Sequence, residues 1–138
     1  MSKRIAVIDG ANIAYSERSQ KGDPKVANIL AVRTVLEKEG YEPIVIVDAS
    51  LVYEIDDRPQ LEALINDRVV RQVPAETDAD YFIIETAREH NALIISNDQY
   101  ESYQKDNPWI DKRRVPVMII RGNAELYEPK LEENREQP

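Results

Sequence analysis

Three apolar runs in this 138-residue chain end on an acid. Ile5-Ala6-Val7-Ile8 leads into Asp9, Ile44-Val45-Ile46-Val47 into Asp48, and Ala92-Leu93-Ile94-Ile95-Ser96 into Asn97-Asp98. The runs are apolar throughout rather than alternating, the pattern of strands buried on both faces. Between them lie stretches of helical spacing. From Pro24, the residues Val26, Ile29, Leu30, Val35 and Leu36 trace an i, i+3, i+4 stripe broken by Arg33; Pro24 suits a first turn and Gly40 a stop. Leu61, Leu64 and Ile65 predict a helix over 59–68, and Phe82, Ile83, Ile84 and Ala87 another over 78–91. Strands are predicted over 3–8, 42–47, 69–73, 92–96 and 115–120, with a short helix over 99–104 and a hairpin extension over 122–127. The polar stretch from Glu128, with Pro129 and Pro138, is expected to fray.

Such an alternation predicts an α/β domain with a central, mostly parallel sheet flanked by helices on both faces. Ligands bind such sheets beyond the carboxyl ends of the strands, where the strand order reverses. Asp9, Asp48 and Asp98 all fall at strand ends. If the first strand neighbours the fourth, Asp9 and Asp98 project into one gap, and Asp80 enters it from the start of a helix. Carboxylates that close repel one another unless a cation sits between them. With hard oxygen donors and no cysteine, the metal suited to the gap is Mg²⁺ or Mn²⁺ rather than Zn²⁺. Each acid also has a structural role open to it. Asp9 could form a turn, as could Asn12 and Ser16. In Thr77-Asp78-Ala79-Asp80, Thr77 could cap a helix with Asp80 completing the box, and Asp98 could do the same with Glu101.

Other chemistries lack parts. His90 is the only histidine, placed to meet the negative end of its helix, so a serine–histidine triad or a tandem-histidine ribonuclease has too few members. None of the four glycines builds a phosphate loop. Without cysteine there is no disulfide, zinc thiolate or cysteine nucleophile. The longest apolar runs hold four or five residues, far short of a membrane span. A cytoplasmic, single-domain protein is expected. The formal net charge of −8 argues against a nucleic-acid partner, but cations held by clustered carboxylates would offset it, and local charge matters more than the total.

At these residues the sequence resembles the PIN/NYN nucleases, most closely the Regnase-type branch. Three segments carry the resemblance: Val7-Ile8-Asp9-Gly10-Ala11-Asn12, Glu76-Thr77-Asp78-Ala79-Asp80 and Ile95-Ser96-Asn97-Asp98-Gln99-Tyr100. Asp48-Ala49-Ser50-Leu51 and Trp109 fit the same branch. The resemblance implies a PIN-like three-layer sandwich and a divalent-metal-dependent endoribonuclease acting on single-stranded RNA. It implies a metal held by Asp9, Asp80 and Asp98, with Asn12 and Ser96 in support. Asp78 ranks with Asp48 as the fourth acid, ahead of the pair Asp56-Asp57, and Ser16, Asp48 and Asn97 join the supporting set. The nuclease domain is expected over 1–127, with a polar tail over 128–138. The zinc finger that usually accompanies the branch is missing from this cysteine-free chain.

The expected partner is RNA, with a homodimer as a further option and no membrane. Lys112, Arg113 and Arg114 are the expected RNA-binding cations, with Trp109 as a stacking ring; a solvated charge run and a packed tryptophan are the structural alternative. Arg18, Lys21 and Lys25 flank the loop after Asp9. The competing functions are a catalytically silent PIN-like module binding RNA or protein, and a phosphoacceptor receiver built on Asp48. The receiver lacks paired acids after the first strand and has Arg121 where its mechanism wants lysine.

Overall fold

The computed structural model describes residues 3–135; the last three residues of the expected tail lie outside them, as do Met1 and Ser2. The first apolar run forms β1 (Arg4–Asp9). Because side chains alternate across a strand, Ala6 and Ile8 enter the core on one face of the sheet and Val7 enters the core on the other. Asp9 shares the face of Val7.

The helix α1 (Gly10–Ala14) starts directly after Asp9, where a loop is predicted, and α2 (Val26–Lys38) leads to β2 (Tyr41–Val47). Gly10 is required by close approach: a Cβ there would meet Val47 Cγ1 at 2.4 Å and the Ile46 carbonyl at 3.0 Å. A 3₁₀ turn at Leu51–Tyr53 precedes α3 (Arg58–Asn66) and β3 (Val70–Gln72). Then come α4 (Ala79–His90), β4 (Leu93–Ile95), α5 (Glu101–Gln104), α6 (Trp109–Arg113) and β5 (Arg114–Val115).

These strands form one parallel sheet in the order β3-β2-β1-β4-β5. The chain builds outward from β1 through β2 to β3, then returns to lay β4 on the other side of β1. Ala6, Val7 and Ile8 pair with Leu93, Ile94 and Ile95, so β1 and β4 are neighbours at the reversal, as the acid pattern requires. One core lies under α2 and α3, around Ile8, Ile29, Leu36, Leu61 and Ile95. The other lies under α4 and α6, around Val7, Ile83, Ile84, Ile94 and Ile110. Helix, sheet and helix make the three predicted layers.

Asn28, which the apolar stripe does not reveal, is fully buried in α2 and donates to the carbonyls of Ile13, Ala14 and Glu17. It fastens α2 to α1 and the chain beyond it. Asp56 and Asp57 are engaged in capping: Asp56 accepts from the Val26 N–H at 3.0 Å at the start of α2, and Asp57 from the Gln60 N–H at 3.1 Å in α3. Neither belongs to the carboxylates that gather at the site, which are Asp9, Asp80 and Asp98.

Two further expectations are corrected. The single strand over 115–120 is divided at Pro116, which has no N–H for a sheet ladder. Before it β5 pairs with β4; after it β6 (Val117–Ile120) pairs antiparallel with β7 (Asn123–Leu126). Arg121 and Gly122 both have positive φ, 51° and 80°, as a tight two-residue hairpin turn demands. The segment expected to fray instead forms α7 (Glu128–Arg135), with Leu131 and Asn134 buried. Arg4 donates to the Asn134 carbonyl, and the Asn134 amide donates to the Lys112 carbonyl, tying the helix to β1 and α6. Periodicity hides this anchor, because a single leucine carries the apolar contact.

Leu131→Ala is therefore expected to destabilise the domain by about 2–5 kcal/mol, the usual cost of emptying a fully buried leucine site. Urea unfolding checks it; an unchanged midpoint would mean that α7 adds nothing to the core.

Candidate functional site

Asp9 ends β1 with its carboxylate on the α4 side and only 6% exposed. Its Oδ1 accepts from the Asn12 N–H at 3.3 Å, capping α1. Its Oδ2 accepts from the Tyr100 hydroxyl at 2.6 Å and the Ser96 hydroxyl at 3.2 Å. The structural role open to Asp9, expected as a turn, is that of a helix cap, and it uses one of two oxygens.

The loop after β4 is folded by its own polar groups. Ser96 is buried, and its Oγ accepts from the Asp98 N–H at 3.0 Å. Asp98 Oδ1 accepts from the Tyr100 N–H at 2.8 Å, a local turn with Tyr100 in the left-handed region at φ 51°. The expected capping box at Asp98 and Glu101 does not form; the helix starts two residues later, after Tyr100. The Asn12 amide oxygen accepts from the Asn97 N–H at 2.9 Å, locking α1 to this loop.

Asp80 comes from the third side, in the first turn of α4. Thr77 does not cap that helix: its hydroxyl donates to the Pro74 carbonyl, and Asp78 caps instead by accepting from the Asp80 N–H at 3.0 Å. Asp9, Asp80 and Asp98 each bring a carboxylate oxygen, and these lie within 4.8 Å of one another. Asp78 and Asp48 stand around this trio instead of within it. Asp78 also accepts from the Tyr103 hydroxyl and Asp48 from Ser50.

The electrostatics record the crowding. Burial, then repulsion from Asp9, Asp78, Asp98 and Asp48, pushes the Asp80 carboxyl up to about 6. Burial raises Asp9 as well, against the lowering effect of its bonds to Tyr100, Asn12 and Ser96. Burial, reinforced by the Asp9 charge, keeps the Tyr100 hydroxyl protonated and donating. Among the described residues, no lysine or arginine forms a salt bridge with any of these acids. Crowded hard oxygen donors without a cationic side chain fit a divalent ion.

The remaining expected residues disperse. Ser16 donates to the Asn12 carbonyl at 3.1 Å, and the Asn97 side chain bonds the Val117 backbone in both directions, so both brace the loops and leave the acids untouched. Lys112 and Arg113 end α6, and Arg113 is near enough to Arg4, the first residue of β1, to feel its charge. Trp109 packs against the α4-side core, with Arg113 over its ring at 5.6 Å. Only Arg114 reaches toward the site, donating to the Ser96 carbonyl at 3.2 Å. Lys25 pairs with Glu17 at 2.6 Å, Arg18 lies over the Tyr15 ring at 4.7 Å, and Lys21 is exposed. His90 is exposed at the far end of α4, about 16 Å from its start. Tyr100 is the site residue that sequence reasoning missed. Its only sequence signal is a position two residues after Asp98, since nothing local says that its hydroxyl crosses to β1.

A sheet that reverses its strand order beside such a trio defines an α/β domain with an acidic centre suited to a divalent cation. A profile of Zc3h12a-like ribonuclease NYN domains matches residues 2–138, and the chain belongs to that family. The expected PIN/NYN, Regnase-type relationship thus holds, and the chain is a nuclease-family domain. The crystal structure of nuclear proteinaceous RNase P 2 from Arabidopsis thaliana shares the fold, with a TM-score of 0.69 at 19% identity over 88% of this chain and 29% of that one. A further structure, of nuclear protein-only RNase P 2 from the same plant, gives 0.70 at 19% identity over 92% and 30%. The chain spans less than a third of the length of those chains. No curated protein matches the sequence significantly. No helix among the described residues is long and apolar enough to cross a membrane.

The raised carboxyls have a consequence for stability. An acid with a folded-state pKa above its unfolded value stabilises the fold at low pH and loses that contribution as pH rises through the folded value. Without divalent ions, the melting temperature should therefore fall between about pH 4 and pH 7 through Asp80 and Asp9. Asp80→Asn should flatten this fall and raise the metal-free melting temperature at pH 7, as calorimetry across pH can read. A variant that melts lower than wild type at pH 7 would mean that repulsion is not what the Asp80 carboxylate contributes.

Proposed function

We propose that the protein is a divalent-metal-dependent endoribonuclease that hydrolyses phosphodiester bonds in single-stranded RNA. The observation that carries this reading is the trio Asp9, Asp80 and Asp98, whose carboxylate oxygens lie within 4.8 Å of one another at the reversal of the sheet. Membership of a ribonuclease family supports RNA as the substrate.

The trio would hold Mg²⁺ or Mn²⁺, with Asp78 or Asp48 as a further carboxylate at its edge. When bound, the cation would lower the pKa of a water and offset the charge of the phosphodiester. The chain's own residues do the positioning. Tyr100 and Ser96 fix Oδ2 of Asp9, and Asn12 fixes Oδ1, so the buried carboxylate keeps one orientation. The Ser96–Asp98 and Asp98–Tyr100 bonds hold Asp98 on the same loop. Attack by water forms an oxygen–phosphorus bond and breaks the bond from phosphorus to O3′, which takes up a proton. His90, exposed at the opposite end of α4, is in no position to recruit the ribose 2′-hydroxyl.

Cleavage of a labelled single-stranded RNA should require Mg²⁺ or Mn²⁺, stop in excess chelator, and leave 5′-phosphate and 3′-hydroxyl ends. Cyclic 2′,3′-phosphate ends, or full activity in chelator, would refute the mechanism. Asp9→Asn, Asp80→Asn and Asp98→Asn should each lower turnover at least about a hundredfold while the fold survives. Asparagine caps helices nearly as well as aspartate. Wild-type rates in all three variants would therefore leave the acids with capping alone, and RNA binding without cleavage by the wild type would favour a silent binding module.

A further inference from the structure

A groove of about 820 Å³ opens beside the acidic site, on the β2 and β3 side of the reversal. Asp48 and Thr77 belong to its walls. Thr77 directly precedes the cap of α4, whose first turn carries Asp80, and Asp48 is near enough to Asp80 to act on its charge, so the groove borders the site. Its volume lies within the range of about 300–1,000 Å³ typical of small-ligand sites, enough to admit a nucleotide.

One pair of side chains in its wall has no explanation in the fold. Tyr53 is 75% exposed, so its ring contributes little to the core. The Arg58 guanidinium lies over that ring at 4.7 Å, and its Nε donates to Glu62 at 3.1 Å. Among the described residues, the terminal nitrogens of Arg58 have no partner. An aromatic ring backed by a guanidinium and left open to water is the type of surface on which an unpaired base stacks. A second stack, Arg18 over Tyr15, stands near Asp48 as well.

We propose that this groove guides the RNA strand flanking the scissile bond, with Tyr53 stacking on an unpaired base and Arg58 meeting a phosphate. The proposal rests on the ribonuclease reading and names how that site takes its substrate. The groove's charge shapes the binding. Arg58 is its one cation, against Asp48, Glu62 and Glu76. Phosphate attraction alone cannot hold a strand there, so stacking carries most of the affinity and duplex RNA, whose bases are already stacked, is disfavoured.

The test is the affinity for a 5′-labelled single-stranded RNA oligonucleotide, read by fluorescence anisotropy across a salt series, in buffer containing Ca²⁺, with cleavage assayed separately in Mn²⁺. Tyr53→Ala should weaken binding at least about fivefold at every salt concentration without altering the salt slope, whereas Tyr53→Trp should retain it. Arg58→Gln should weaken binding and reduce the slope by about 0.7, the share of one phosphate contact on a single strand. Circular dichroism confirms folding, which an exposed tyrosine does not threaten. If Tyr53→Ala and Arg58→Gln bind RNA with the wild-type affinity and slope, the strand enters elsewhere and the groove proposal falls, even if the wild type cleaves. If the variants lose affinity but the wild type cleaves no RNA in Mn²⁺, the groove stands and the nuclease reading falls. Loss of affinity by Tyr53→Trp equal to that of Tyr53→Ala would overturn stacking as the cause.

Discussion

The pairing of β1 with β4 places the Asp9 carboxylate where water is excluded and other carboxylates converge. A buried anion costs several kcal/mol unless hydrogen bonds or an opposite charge compensate it. Three hydrogen bonds, from Asn12, Ser96 and Tyr100, supply part of that compensation. Burial still wins, since the Asp9 pKa is raised despite them. The rest of the site follows from this imbalance. Asp80 and Asp98 add repulsion instead of relief, and a bound divalent cation would remove it. The centre thus gathers like charges within an otherwise well-packed fold, a local cost of the kind found at functional sites.

The same polar groups shape the chain and form the acidic site. Asp9 caps α1 with Oδ1, accepts the Tyr100 and Ser96 hydroxyls on Oδ2, and is a member of the acidic trio. Asp78 caps α4, which places Asp80 in the first turn, where the positive end of the helix favours a carboxylate. Structural and functional readings of these acids are therefore not rivals: capping fixes the backbone, and the fixed backbone aims the remaining oxygens. Asn28 and Asn97 contribute by bonding backbone across elements, Asn28 holding α1, which carries Asn12, and Asn97 the loop with Ser96 and Asp98.

A net charge of −8 is compatible with this architecture because charge is distributed unevenly. Arg4 and Arg113 gather at the amino-terminal edge of the sheet, with Lys112 on the same helix. At the carboxyl edge the acids dominate, and Arg58 and Arg18 are both spread over tyrosine rings. On the proposed function, affinity for RNA at such an edge would lean on a cation held by the carboxylates and on aromatic surface, more than on a broad basic face.

The sequence alone determined the layer order, the parallel sheet and the three central acids. Uninterrupted apolar runs mark strands covered on both sides, and each run stops where a polar residue meets the crevice. These are local patterns, set by residues adjacent along the chain. What only the tertiary structure decided depends on residues far apart in sequence. Tyr100 reaches Asp9 across 91 positions, Asn12 meets Asn97 across 85, and Arg4 meets Asn134 across 130. The placement of Lys112 and Arg113 belongs here as well: β5 begins at Arg114, level with Val7, so α6 ends before the strand ends that carry the acids. Leu131 shows the limit most clearly, for one leucine in a polar stretch has no period to detect, and only the finished core has the cavity that it fills.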